Sequence, residues 1–392
     1  MQFEREEVSN LMVSTYPPDR DGIASYTRRL VEALSKLRIS VRVLSNGGEW
    51  KRDSLSYVPS LFRKIGSSAV TLVHFQLSYF MFGNEYYTGL FPLLLLGLKV
   101  MKKKMIVTFH DVVPLANLTN EFMKGYTNPR FLTLKRWALI MFTKFVCSLA
   151  DTVIVHDNLA RIVLAKDYGI TPEKLAVIPH GIDRNCYPSK QEVCFHERTI
   201  TYFGLVRKGK GLENLVRAWP MVREKIDATL LIIGGRHPHL EDDCYERVVA
   251  LIEDLRLDSS VRLCGYVPSE LLPSYFMNTS AFVFPFDEWG DVVASSGALS
   301  VVAPYGKPLV VTEVPAFFCL KRDKAALFVN RGLLQELASA IITVLEDGSA
   351  ARKLQEGLNR WLSRSGWEVT ARKHKQLYER CFNKKSIADV AK

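Results

Sequence analysis

The sequence has no apolar run long enough to cross a bilayer. The longest, between Gly89 and Lys102, holds about a dozen residues, where a spanning helix needs about 20. There is no C-x-x-C pair, and the seven cysteines (147, 186, 194, 244, 264, 319, 381) are scattered and odd in number. That argues against a disulfide framework and fits reduced thiols in the cytoplasm. Cys186, Cys194 and His196 are close in sequence but match no metal-site spacing. The opening decapeptide, MQFEREEVSN, lacks the apolar segment of a secretion signal. Zinc-finger and RNA-binding signatures are missing too, so no nucleic-acid partner is expected. The expected location is cytoplasmic, with peripheral contact at the inner membrane face as an open alternative.

What is present is the composition of a folded protein: 392 residues, 48% hydrophobic and 24% charged. The length suits two domains of ordinary size. The net charge of +11 is uneven. Residues 1–185 carry 24 basic and 16 acidic side chains, the remainder 28 and 25. A basic first half suits an anionic partner, either a phosphate-bearing substrate or an anionic membrane surface. A solvated basic surface without a partner fits equally well. Two stretches bear on the membrane alternative: Lys99–Lys104 follows apolar Leu90–Leu98, and Phe131–Phe145 mixes cations with bulky apolar residues. They read as a lipid-facing surface or as two core helices with basic edges.

Short β-branched runs alternate with amphipathic stretches. Strands are expected at Val8–Ser14, Val41–Ser45, Thr71–Gln76, Lys104–His110 and Thr152–His156. In the second half they fall at Thr199–Phe203, Thr229–Ile233, Val261–Cys264, Ala281–Pro285 and Pro308–Thr312. Helices are expected at Ala24–Ser35, Glu213–Val222, Tyr245–Leu255, Ser296–Tyr305 and Trp367–Phe382. Such alternation implies an α/β protein with parallel, doubly wound sheets. The pattern restarts near residue 198 after a polar stretch, Asp183–His196. The expected division is therefore 1–185, 186–366, and a C-terminal helix, 367–392, across the domain junction. Folds of this kind bind ligands in a crevice at the carboxyl ends of their strands.

Five segments could carry chemistry. The first strand runs into Ser14-Thr-Tyr-Pro-Pro-Asp-Arg-Asp21-Gly22, either a phosphate-binding helix mouth or a plain turn with a serine cap. The fourth ends in His110-Asp111, where a histidine can meet a sugar hydroxyl or phosphate, or simply cap a loop. Pro179-His180-Gly181-Ile182-Asp183 reads as a turn before the linker. Tyr202–Leu212 sets Arg207, Lys208 and Lys210 among glycines at a helix mouth, an arrangement for a diphosphate. Last, Asp287, Glu288 and Asp291 precede Ser295-Ser296-Gly297-Ala298 at a helix start, with Glu313 beyond the next strand. Carboxylates for hydroxyls beside backbone N–H groups for phosphate are what a sugar diphosphate requires.

In this order the segments resemble the retaining GT-B glycosyltransferases of family 4, over essentially the whole chain. The resemblance implies two Rossmann-like domains facing across a cleft and transfer of a hexose from a nucleotide sugar, UDP- or GDP-linked. The acceptor would be a glycan, a lipid or lipid-linked molecule, or another acceptor. It implies no metal and no cofactor. By analogy Lys210 grips the donor diphosphate, with Arg207, Asp291, Ser295, Ser296, Gly297, Ala298 and Glu313 around the donor. Gly22 sits near the phosphate, Asp21 and Asp111 lie on the acceptor side, and His110 and Glu288 act at the transferred sugar. Two positions depart from the family pattern: its second motif glutamate is Ser296 here, and its arginine ahead of the loop lysine is Leu205. Glu313 and Arg207 are the expected substitutes. A catalytically silent nucleotide-sugar-binding subunit, or a GT-B epimerase or phosphorylase, is the alternative.

Overall fold

The structure is a computed structural model. It describes residues 10–19, 21–79, 81–83, 85–124, 127–183, 198–236, 243–287, 292–294 and 296–383. The strands, in chain order, are β1 (Asn10–Ser14), β2 (Val41–Ser45), β3 (Leu72–Leu77), β4 (Lys104–Phe109), β5 (Asp111–Val112), β6 (Thr152–Val155) and β7 (Leu175–Val177). They continue as β8 (Thr199–Phe203), β9 (Thr229–Ile233), β10 (Val261–Gly265), β11 (Ala281–Phe284), β12 (Val293–Ala294), β13 (Leu309–Thr312) and β14 (Leu327–Val329). The helices are α1 (Gly22–Ser35), α2 (Tyr57–Gly66), α3 (Glu85–Thr88), α4 (Phe91–Val100), α5 (Asn120–Lys124), α6 (Leu132–Leu149) and α7 (Asn158–Lys166). Then come α8 (Leu212–Arg223), α9 (Cys244–Asp254), α10 (Leu272–Met277), α11 (Gly297–Val302), α12 (Leu334–Glu346), α13 (Gly348–Ser365) and α14 (Trp367–Asn383).

The chain divides into two compact units. Of the described residues, the first unit holds 10–181, 292–294 and 367–383, and the second holds 182–183, 198–287 and 296–366. α14 packs against α1, and both belong to the first unit.

The first unit is built on a six-stranded parallel sheet in the order β2-β1-β3-β4-β6-β7. Period-2 alternation sends its side chains to two different layers. Val73, Phe75, Met105, Val107, Val153 and Val155 face a core shared with α2, α4 and α6. Met12, Leu72, Ile106 and Ile154 face α1 and α14, meeting Tyr26, Leu30, Leu34, Leu377 and Tyr378. Both faces are covered, so these strands read as nearly continuous apolar runs. β5 and β12 form a separate antiparallel pair, Val112 opposite Val293 and Asp111 opposite Ala294.

The second unit has a six-stranded parallel sheet, β10-β9-β8-β11-β13-β14. Its core centres on Trp219 of α8, fully buried, with the indole N–H donating to Ser260 Oγ at 3.3 Å. The expected helix Ser296–Tyr305 is two pieces, α11 and a single 3-10 turn at Ala303–Tyr305. Pro304 in that turn cannot extend an α-helical ladder, because it has no N–H to donate. Among the described residues no helix is long and apolar enough to cross a membrane. The five described cysteines are free thiols.

Candidate functional site

Each unit gathers polar side chains at the carboxyl ends of its strands. In the second unit the strand order is that of a dinucleotide-binding sheet, reversing direction between β8 and β11. Ligands of such sheets bind at that reversal. The loops that leave it are Gly204–Gly211 and Pro285–Asp287. Gly211 stands at φ +68°, and a Cβ there would collide with the Pro285 carbonyl. Only glycine allows the two loops to close together. The Asp287 N–H donates to the Gly209 carbonyl at 3.2 Å. Thr312, at the end of β13, donates its hydroxyl to the Phe286 carbonyl at 2.8 Å.

This closure places the Lys210 ammonium 3.7 Å from the centre of the Phe286 ring, a contact that partly replaces lost hydration. Burial, reinforced by neighbouring Arg207, pushes Lys210 down to about 7. Two like charges on one loop, one of them pushed toward neutrality, are an arrangement that a bound anion would favour. Sequence reasoning named both cations and missed Phe286; an aromatic directly ahead of the acidic segment was the available signal.

The other expected donor residues fare differently. The Ser296 hydroxyl accepts from the Leu299 N–H at 3.3 Å, capping α11. Ala298 lies beside the β8 loop, its Cβ 3.8 Å from where a Cβ on Gly204 would stand. Gly297 is open, with nothing within 4 Å of a built Cβ. The Glu313 carboxylate pairs with Lys321 at 2.5 Å. Asp287 accepts from Asn214 Nδ2 at 3.3 Å, and its carbonyl accepts from Arg331 at 2.9 Å. Glu288, Asp291 and Ser295 lie outside the described residues.

In the first unit the sheet face toward α1 and α14 carries a line of polar groups. His74 Nδ1 is 2.7 Å from Tyr378 Oη, and its Nε2 is 2.7 Å from Thr108 Oγ1. His110 Nε2 lies 2.9 Å from Gln76 Oε1, and His110 Nδ1 lies 3.3 Å from His156 Nε2. His156 Nδ1 meets the Ile178 carbonyl at 3.0 Å. A carbonyl only accepts, so His156 carries its proton on Nδ1 and offers an Nε2 lone pair to His110. Neutral His110 then donates from Nδ1 and must accept at Nε2. That requires the Gln76 amide turned over, its NH₂ toward His110 and its oxygen toward His74. Burial and the neighbouring histidines hold His110 well below the usual imidazole range, and burial takes His156 to about 4. Both His110 ring nitrogens are thus engaged inside the unit.

Around them sits Tyr26, with ring centres 4.8 Å from His110, 5.3 Å from His156, 4.8 Å from His180 and 5.3 Å from Trp367. Among the described residues its buried hydroxyl has no hydrogen-bond partner. His180, read from sequence as part of a turn, belongs to this cluster, and a Cβ on Gly181 would collide with Trp367. His156 and Gln76 escaped sequence reasoning. The signal for His156 was its position directly after an apolar strand, the same as that of His110.

Asp21, expected on the acceptor side, caps α1: its Oδ1 accepts from the Ala24 N–H at 2.7 Å and the Thr15 hydroxyl at 2.9 Å. The cap is this aspartate and not a serine. Gly22 follows at the first helical position with nothing within 4 Å of a built Cβ. Asp111 accepts from Ser78 Oγ at 2.9 Å through Oδ2, and among the described residues its buried Oδ1 has no hydrogen-bond partner. Burial pushes this carboxyl up to about 6, against the opposing pull of the Ser78 hydroxyl and the Tyr79 and Asp111 backbone N–H groups. Beside the β1 loop, where Asn46 donates to Asp19 at 3.3 Å, an open cavity of about 660 Å³ is lined by Asn46–Arg52, Ser56 and Ser60. Among the described residues no group of three or more His, Cys, Asp or Glu is placed to hold a metal ion.

The chain is similar in sequence to an uncharacterised glycosyltransferase, YqgM, of Bacillus subtilis, 24% identical over 63% of this chain and 66% of that one. The matches to the next two curated relatives span only 38% and 36% of their lengths. In fold it is similar to a sucrose-phosphate synthase from Thermosynechococcus elongatus, with a TM-score of 0.71 at 19% identity over 96% of this chain and 99% of the other. It is also similar to Anabaena HepE in complex with UDP-glucose, with a TM-score of 0.67 at 15% identity over 94% and 99%. The family model "Glycosyltransferase Family 4" matches residues 20–185 and "Glycosyl transferases group 1" matches residues 197–347. Spanning most of both units, these matches show that the chain belongs to the group 1, family 4 glycosyltransferases of GT-B fold.

Proposed function

We propose that the protein transfers a hexose from a nucleoside-diphosphate sugar to an acceptor hydroxyl, with retention of configuration and without a metal ion. The observation that carries this reading is Lys210, held beside Arg207 at the strand-order reversal of the second sheet and pushed down to about 7. A diphosphate laid there returns Lys210 to its charged form. As the bond from the sugar C1 to the phosphate oxygen breaks, negative charge builds on the leaving diphosphate. Fixed cations stabilise that charge at no reorganisation cost. The acceptor oxygen forms the new bond to C1, and its proton passes to the departing phosphate. The N–H groups at Ser296–Ala298 and the carboxylate of Glu288 are assigned to the donor and its sugar by family analogy.

Asp111, raised to about 6 by burial, is assigned to the acceptor hydroxyl by family analogy. His110 is placed near the sugar by family analogy; with both ring nitrogens engaged, it offers an uncharged ring there. The HepE structure with UDP-glucose makes a uridine donor the first to test. The test is the melting temperature of the protein with UDP, GDP, ADP and their sugar conjugates in chelator, for Lys210 and for Lys210→Ala. A shift of several degrees with one nucleotide, lost in the variant, supports the reading. No shift with any of them rejects the donor assignment.

A further inference from the structure

The first unit carries an apolar surface that its own fold leaves uncovered. α4 packs against α2 on one side and α6 on the other, and all three lie on the sheet face away from α1 and α14. The inward side of α6 is ordinary core: Phe142, Val146 and Cys147 are buried. The outward side is not ordinary surface. Leu134, Trp137, Met141 and Phe145 recur at helical spacing and are exposed, Leu134 by 68% and Trp137 by 62%. Phe131, just ahead of the helix, is exposed by 76%. On α4 the outward residues are Leu93, Leu96 and Val100, exposed by 60%, 51% and 77%. Bulky apolar side chains gathered on two touching helices mark an interaction surface.

Charge identifies the occupant. Helices α2, α4 and α6 contain no aspartate or glutamate. From Tyr86 to Ala150 the chain has nine lysines and arginines against two acids, Asp111 and Glu121. Lys99 and Lys103 donate to backbone carbonyls at the end of α4, at 3.0 Å to Leu149 and 2.8 Å to Ser68. Those bonds hold the side chains in place, and among the described residues the acid that pairs at this end of α4 is Asp151, with Lys104. Lys144 stands on the same outward side of α6 as Phe145. A folded protein partner would require matching apolar shape. A bilayer surface with anionic headgroups requires only apolar side chains that can enter the acyl boundary, a tryptophan at headgroup depth, and cations around them.

We propose that the outward faces of α4 and α6 dock this protein on an anionic lipid surface, with Leu134, Trp137, Phe145, Leu93 and Val100 inserted and Lys144 and Lys102 at the headgroups. The inference concerns a surface distinct from the donor residues and holds whatever sugar is transferred.

The experiment is sedimentation of the full chain with vesicles of phosphatidylcholine alone or mixed equally with phosphatidylglycerol, at low and high salt. The expected result is binding to the anionic vesicles only, weakened by salt. A triple variant, Leu134→Ser/Trp137→Ser/Phe145→Ser, loses about tenfold or more in affinity, since each insertion removes a large apolar side chain from water. A charge variant, Lys102→Glu/Lys144→Glu, loses binding while keeping the apolar residues. All the substituted side chains are exposed, so both variants keep the parent's melting temperature. Absence of binding to anionic vesicles overturns the proposal, as does equal binding to neutral ones. So does parental binding by both variants. Self-association of the parent that the triple variant abolishes, without vesicle binding, would give the face to a second copy instead.

Discussion

Lys210 ties ionisation directly to ligand binding. Its free-state pKa of about 7 must rise when a diphosphate arrives, so binding above pH 7 takes up a proton. Below pH 7 the ammonium is already charged and affinity is flat. Between about pH 7 and 9 affinity falls by up to roughly tenfold per unit, until the pH passes the bound-state pKa. Titration calorimetry in buffers of different ionisation heat reads that uptake directly. In Lys210→Met, an apolar chain of similar length, the uptake disappears and affinity drops. Affinity that stays constant from neutral to alkaline pH would remove Lys210 from the diphosphate. The histidine line makes a second residue-scale prediction. Nitrogen-15 spectra should show His156 as the neutral Nδ1–H tautomer at pH 7; an Nε2–H tautomer would contradict the bond to Ile178.

At the scale of elements, the two glycines at helix mouths separate packing from ligand approach. Gly211→Ala meets the Pro285 carbonyl at positive φ, so it should destabilise the second unit by a few kcal/mol and abolish nucleotide binding. Gly22→Ala meets nothing, so the melting temperature should hold while donor affinity falls. If Gly22→Ala leaves nucleotide binding and turnover intact, the α1 mouth is only a turn. Asp21→Ala tests the cap alone and should cost about 1 kcal/mol.

These elements also show what the sequence made legible. Strands buried on both faces announce themselves as apolar runs, and Thr199–Phe203 and Thr229–Ile233 match β8 and β9 residue for residue. β5 and β12 are two residues each and exist only because each has the other, a long-range fact with no local signal. β7 and β14, three residues each, are too short to show a period. α6 was legible as a helix with basic edges, but apolar residues on its outward as well as its inward side left open which face meets the core. At the site, the Lys210 loop could be read because glycines and cations cluster in sequence. The ring cluster could not, since Tyr26, His110, His156, His180 and Trp367 come from five separate segments.

On the whole molecule, the two units answer acid differently. His74, His110, His156, His180 and His374 all belong to the first unit. Each is held below the ordinary imidazole value mainly by burial, His156 and His374 to about 4 and His180 to about 3. Below about pH 6.5 the unfolded chain binds protons that the folded unit refuses, so stability is lost as pH falls. At about pH 5 the loss is roughly 2 kcal/mol each for His156 and His374, the two that are most deeply buried with a stated value. Asp111, raised to about 6, and Asp157, also raised by burial, work in the opposite direction, since protonation relieves their burial cost. Two carboxyls do not offset five rings. In the second unit Lys210, at about 7 when folded, becomes fully charged in both states as pH falls, and adds only about 0.4 kcal/mol of loss in this range. Hydrogen exchange corrected for intrinsic rates should therefore show β3, β4 and β6 losing protection between pH 7 and 5, while β8, β9 and β11 keep theirs. Equal loss in both sheets would mean that the histidines are solvated in solution, and the ordered line from Tyr378 to Ile178 would have to be abandoned.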